Sequence, residues 1–134
     1  VSLLDTNANN CFVCGPENPI GLQLQFEMDG DICRSSFTPG KNHCGYDGVT
    51  HGGLIFSALD DVMANWLFLQ GFKAFTAKCD LRYRQALPIG TTVRLEGHCL
   101  RQKARLTQMR GVMIRDDNDE IVAEAEASFM TEAG

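Results

Sequence analysis

No stretch of the 134-residue sequence is apolar for long enough to cross a bilayer, and no basic segment running into an apolar one opens it. The chain therefore reads as a soluble, untargeted, cytoplasmic protein with no membrane partner. Basic residues are sparse as well. Twelve Lys and Arg stand against seventeen Asp and Glu, for a net charge of -5, and they are scattered rather than clustered. That distribution offers no electrostatic footprint for nucleic acid. Internal repeats, low-complexity stretches and linker-like runs are missing too. A chain of this length has room for one core, so residues 1–134 read as a single domain. Its first twenty residues form an irregular segment punctuated by Gly15-Pro16 and Asn18-Pro19.

Cysteine is present but lacks the context of a disulfide framework. Six cysteines could make three bridges, yet a chain with a proper core does not need them, and nothing marks it as secreted. They read as thiols, with Cys79 and Cys99 on the apolar phase of alternating strands. Cys11-Phe-Val-Cys14 has a spacing suited to zinc or a redox pair. A structural zinc needs four ligands, however, and neither a second CxxC nor an HxxxH follows, although His43 and Cys44 are adjacent downstream. A packed turn is the expectation there.

What is present is strong patterning. Leu22, Leu24, Phe26 and Met28 alternate with Gln23, Gln25 and Glu27, which predicts a half-buried strand turning at Asp29-Gly30 into a return strand that ends near Phe37. From Gly53 to about Gln70 the period changes, and Leu54, Ile55, Phe56, Leu59, Val62, Met63, Trp66, Leu67 and Leu69 cover nearly every face of a helix. Such a helix must be wrapped by other structure. Phe75, Ala77, Cys79, Leu81 and Tyr83 alternate next, and Leu87-Pro88-Ile89-Gly90 makes a turn. Val93, Leu95, Gly97 and Cys99 follow, then a basic hairpin at Arg101–Arg105, a strand from Leu106 to Arg115, an acidic turn, and a strand from Ile121 to Phe129. Strands that follow one another without helices can pair as hairpins. The fold class is thus α+β, an antiparallel sheet closing on one long central helix.

The chemistry concentrates at the helix start. Gly45, Gly48 and Thr50-His51-Gly52-Gly53 lead into it, and glycines there let the backbone approach a ligand with N–H groups exposed. The exposed N–H groups and the positive helix end suit the oxygen of a tetrahedral intermediate, an effect of about 3 to 4 kcal/mol per donor where measured. Only Ser57, Asp60, Asp61 and Asn65 are polar within the helix. Asp61 shares a stripe with Ser57 and Asn65 and reads as a solvated or interface residue. Asp60 instead has Phe56, Met63, Ala64 and Leu67 as neighbours, so its pKa is expected to rise and to suit a general base. Eight residues of helix separate Gly52 from Asp60 by about 10 to 12 Å, too far for one reacting carbonyl to touch both. A two-fold dimer with Gly52 of one chain facing Asp60 of the other solves this.

The run His51-Gly52-Gly53 followed by Asp60, with Gly48 ahead, resembles the signature of hotdog-fold thioesterases of the phenylacetyl-CoA thioesterase type. The strand from Thr76 to Tyr83-Arg84-Gln85-Ala86-Leu87-Pro88-Ile89-Gly90 is similar to the strand after the helix in that family, and the likeness covers residues 20 to 131. Cys11-Phe-Val-Cys14-Gly15 with Asn18-Pro19 and Gly21-Leu22 resembles one subgroup of such proteins. The resemblance implies a hotdog fold, dimers or dimers of dimers, acyl-CoA substrates, and no metal or cofactor. It implies Asp60 as nucleophile or general base, Gly52 as main oxyanion donor, and His51, with Gly53 behind it, as orienting the site. One departure stands out. Many relatives carry Asn six residues before the His, where this chain has Gly45; Asn42, Tyr46 and Asp47 are the nearby substitutes.

Coenzyme A phosphates need basic partners, and Arg101, Lys103 and Arg105 share one hairpin while Arg82 and Arg84 share the polar phase of an earlier strand. A solvated basic turn accounts for the hairpin equally well. The expected function is hydrolysis of an acyl-CoA to free acid and coenzyme A. The alternative is a non-catalytic acyl-CoA or fatty-acyl binding protein, favoured by Gly45 and opposed by Asp60. A hydratase or dehydratase of hydroxyacyl thioesters would want a Pro-Gly pair at the helix start that is missing here, and a purely structural module would show no acyl-CoA affinity.

Overall fold

The computed structural model describes residues 8–132. Its elements run β1 (Glu27–Asp29), β2 (Ile32–Phe37), α1 (Gly52–Phe68), β3 (Ala74–Tyr83), β4 (Val93–Lys103), β5 (Leu106–Arg115) and β6 (Ile121–Thr131). The strands form one six-stranded sheet in the order β1-β2-β4-β5-β6-β3, antiparallel at every pairing. The sheet curls around α1 in the hotdog arrangement that the resemblance implies.

The helix lies where the sheet is lined with small residues. Register places Cys33, Gly97, Gly111, Ala125 and Leu81 in one row across β2, β4, β5, β6 and β3. A Cβ added to Gly97 would sit 2.5 Å from the Val62 carbonyl oxygen, and one on Gly111 would sit 3.1 Å from Met63 Cγ. The two glycines therefore let helix backbone rest directly on sheet backbone. Around that contact Leu59, Val62, Met63 and Leu67 of α1 are buried against Leu95, Met109, Met113 and Phe129. Each such side chain contributes about 1.5 to 3 kcal/mol. Trp66 adds a tether, donating from Nε1 to the Asp31 carbonyl in the β1–β2 turn at 2.8 Å.

The structure corrects four expectations. The first strand is short, because Gln23 takes a left-handed backbone conformation (φ 53°) and the Leu22 and Leu24 N–H groups donate to the carbonyls of Phe12 and Val13. Leu24 and Phe26 are buried all the same. The strand β3 does not pair with β4 by a hairpin; it lies at the far edge beside β6, and residues 84–92 cross between them. A β-bulge between Thr76 and Lys78 switches the phase of β3, pairing Thr76 with buried Phe129 and Phe75 with Met130, which leaves Phe75 63% exposed. Lastly, α1 is not wrapped on every side. Phe56 stays 37% exposed, beside a β3 strand whose outer edge has no neighbour.

The expected irregular N-terminal segment is a series of turns from residue 8 to residue 21, its first seven residues lying outside those described. All six cysteines are free thiols. Among the described residues no helix is long and apolar enough to cross a membrane.

Candidate active site

The loop before α1 is held from a distance. Thr50 donates its N–H to the Leu87 carbonyl (2.8 Å), Ile89 to that of Gly48 (3.0 Å), and His51 to that of His43 (2.8 Å). The Leu87-Pro88-Ile89-Gly90 turn thus buttresses the junction, with Leu87 wholly buried beneath it. This gives a physical reason for that run and the His-Gly-Gly run to occur in one sequence: one positions the other.

At the junction His51 is the N-cap, in extended conformation, and its Nδ1 accepts the Gly53 N–H at 2.8 Å. The Gly52 N–H, just ahead, has no acceptor among the described residues. It points outward from the positive end of a seventeen-residue helix. On the other side Tyr83 Oη donates to the Gly52 carbonyl at 2.8 Å. A Cβ at position 52 would come within 3.3 Å of that hydroxyl, so glycine there lets the tyrosine lie against the backbone. Gly48 has the positive φ (77°) that its loop requires.

Gly45 is exposed and donates to the Val49 carbonyl at 2.9 Å. A Cβ at position 45 would contact the Cα of His51 at 3.4 Å and its ring at 3.6 Å. An asparagine at this position would therefore lie on His51, beside the Gly52 N–H.

Asp60 lies two turns further along α1, half-buried, on the side that meets β3. Thr76 Oγ1 donates to its Oδ1 at 2.6 Å, while Oδ2 has no partner among the described residues. Thr76 and Tyr83 were not among the site residues read from the sequence. Alternation put Thr76 on the polar phase, and only the bulge turns it toward the helix. Gly52 and Asp60, eight residues apart on one helix, are about 12 Å from each other within a single chain.

Asp61 differs from its expectation. Instead of facing solvent it packs under the N-terminal turns, with Cys11 Sγ 3.9 Å from Oδ1 and Asn65 Nδ2 3.0 Å from Oδ2. Burial raises its pKa, against the hydrogen bonds from Cys14, Asn65 and Cys11 and with some help from the charge of Asp60. Burial and then the Asp61 charge push the Cys33 thiol up to about 12.

The basic residues are split between two places. Arg84 and Arg110 both bind Glu124, at 2.7 and 3.3 Å, and together with Arg82 they line a groove of about 400 Å³ that also carries Asp80 and Glu126. Arg101 and Lys103 are exposed at the β4–β5 hairpin, where Arg105 Nε donates to the Thr131 carbonyl. That hairpin adjoins the Ala74 end of β3, whereas Gly52 adjoins Tyr83 at its other end. Roughly 30 Å of strand lies between them, so one chain does not bring the hairpin to the helix start.

Residues 47–122, from the loop before α1 to the start of β6, match the model of the thioesterase superfamily. The chain belongs to that superfamily. Solved structures resemble this thioesterase-superfamily chain over most of its length. A crystal structure of another thioesterase superfamily protein superposes with a TM-score of 0.81 at 25% identity, covering 88% of this chain; the chain spans 61% of that protein. PaaI of E. coli, from the phenylacetic acid degradation operon, gives 0.77 at 18% identity, covering 84% of this chain and 82% of its own. A Streptococcus mutans protein bound to acetyl-CoA gives 0.75 at 18% identity, covering 82% and 89%. No curated protein matches the sequence.

Proposed function

We propose that this chain hydrolyses an acyl-CoA to the free acid and coenzyme A, working as a two-fold dimer with two sites shared across the interface. The observation that carries this reading is an unclaimed N–H at Gly52 and a half-buried carboxylate, Asp60, both on the side of α1 that meets the edge strand β3. The thioester oxygen accepts from the Gly52 N–H of one chain, with His51 locking the turn behind it through Gly53. Asp60 of the other chain, oriented by Thr76 through Oδ1, uses its free Oδ2 to take a proton from water. The water oxygen bonds to the carbonyl carbon, the carbonyl electrons move onto oxygen at the Gly52 N–H, and collapse breaks the C–S bond and expels coenzyme A as its thiolate.

Two structures of the same fold, a Streptococcus mutans protein bound to acetyl-CoA and a Streptococcus pneumoniae protein with coenzyme A, support an acyl-CoA as ligand. The dimer is supported by the unpaired edge of β3 and by the exposed rings of Phe56, Phe75 and Tyr83 around it.

One observation favours a second reading, a non-catalytic acyl-CoA binding protein. Gly45 leaves empty the space against His51 where a side chain would help hold water. The test is release of free thiol from aromatic, short-chain and long-chain acyl-CoAs by the wild type and by Asp60→Ala. Turnover that disappears in the folded variant supports hydrolysis at Asp60. Binding without turnover in the wild type supports the second reading.

A further inference from the structure

Cys11, Cys14 and Asp61 stand apart from this chemistry. Their ligand atoms all lie within 4.8 Å of one another, although Asp61 is fifty residues away in the sequence. The turn that carries the cysteines is built to aim both sulfurs at one point. Gly15 donates to the Cys11 carbonyl at 2.9 Å, and a Cβ at position 15 would lie 2.3 Å from the Cys11 nitrogen, so no residue with a side chain fits. The Cys14 N–H is directed at Cys11 Sγ, 3.5 Å away, the kind of donor that stabilises a bound thiolate.

The helix side is prepared in the same way. Asn65, 3% exposed, donates from Nδ2 to Asp61 Oδ2 at 3.0 Å and to the Asp61 carbonyl at 2.9 Å, and reaches toward Cys14 Sγ at 4.0 Å. The Cys14 N–H at Cys11 Sγ and the Asn65 amide at Asp61 Oδ2 thus support negative charge on two of the ligand atoms. Yet Asp61 forms no ion pair among the described residues. A cavity of about 310 Å³ bordered by Cys14, Asp61, Ala64, Asn65, Phe68 and Phe75 opens beside the cluster. It gives an ion a route in and a water a place at the remaining position.

We infer that Cys11, Cys14 and Asp61 form a binding site for a thiophilic divalent cation of the zinc class, three protein ligands completed by a water from the adjoining cavity. Binding exchanges the two thiol protons for two metal–sulfur bonds and a metal–oxygen bond to Asp61 and releases the protons to solvent. The ion fastens the N-terminal turns onto α1 one residue beyond Asp60. The spacing of the cysteines alone argued for a packed turn. What changes the reading is the third ligand, which the sequence offered as a solvated or interface residue.

The experiment is titration of the fully reduced, chelator-treated chain with cobalt(II), followed by absorption. The expected result is one equivalent bound, thiolate-to-cobalt charge-transfer and tetrahedral ligand-field bands, and displacement of the colour by zinc. Cys14→Ser and Asp61→Asn lose saturable binding, while Cys99→Ser, on β4, keeps it. Should the substituted chains fail to fold, the wild type alone decides, because uptake of the metal must release both thiol protons. A reduced wild type that takes up no cobalt, or binding that survives both Cys14→Ser and Asp61→Asn, overturns the assignment.

Discussion

At the scale of single residues, the contact that most constrains the proposed chemistry is the 2.6 Å hydrogen bond from Thr76 to Asp60. A hydroxyl donated to one carboxylate oxygen fixes the plane of the group. Thr76→Val is expected to lower kcat by roughly tenfold, with KM little changed, the size of one hydrogen bond to a charged group. Thr76→Ser should restore the rate, and steady-state kinetics checks this. The proposal of Asp60 comes from its neighbours on α1 and from the His-Gly-Gly run before it. Thr76 was not legible, since a bulge is invisible to a two-residue alternation. Asp61 was misplaced for a related reason. The sequence shows its helix neighbours Ser57 and Asn65, but the residues that cover it, Cys11 and Cys14, come from a distant segment.

At the scale of elements, α1 and the sheet meet through backbone at Gly97. Its missing side chain is what lets the Val62 carbonyl approach, and neither partner there is a flexible side chain that could move aside. Gly97→Ala is therefore expected to destabilise the fold by about 1 to 3 kcal/mol, as overpacking does, readable as a lower denaturation midpoint in urea. A result within experimental error of the wild type would mean that α1 can lift off the sheet. The strand β4 was legible because its first half alternates cleanly, and β5 and β6 because turn residues bracket them even where consecutive positions are buried. Less readable was β3, an edge strand with little of itself covered, whose pattern reflects what lies beside it more than what lies beneath.

At the scale of the whole molecule, the separation of Gly52 and Asp60 along one helix makes the proposed site a property of two chains. A mixture of Asp60→Ala with Gly52→Pro, which removes the N–H at a first-turn position that tolerates proline, tests this. Each variant alone should be inactive. Re-associated in equal amounts they should recover about a quarter of wild-type activity, because half the dimers are mixed and each mixed dimer has one intact site. No recovery, with mixed dimers demonstrated by mass, would place both groups in the same chain.

The buttress beneath the helix start has a consequence for how the molecule comes into being. Thr50 and Gly48 bond to Leu87 and Ile89, which emerge after α1 and β3 have been made. Until that late segment arrives, the Gly52 amide is directed only by the local bonds of His51 to His43 and Gly53, even if the helix behind it has already coiled. A nascent or partly unravelled chain would then carry the right residues without the ability to attack a thioester. Chemical competence becomes a report on completed folding.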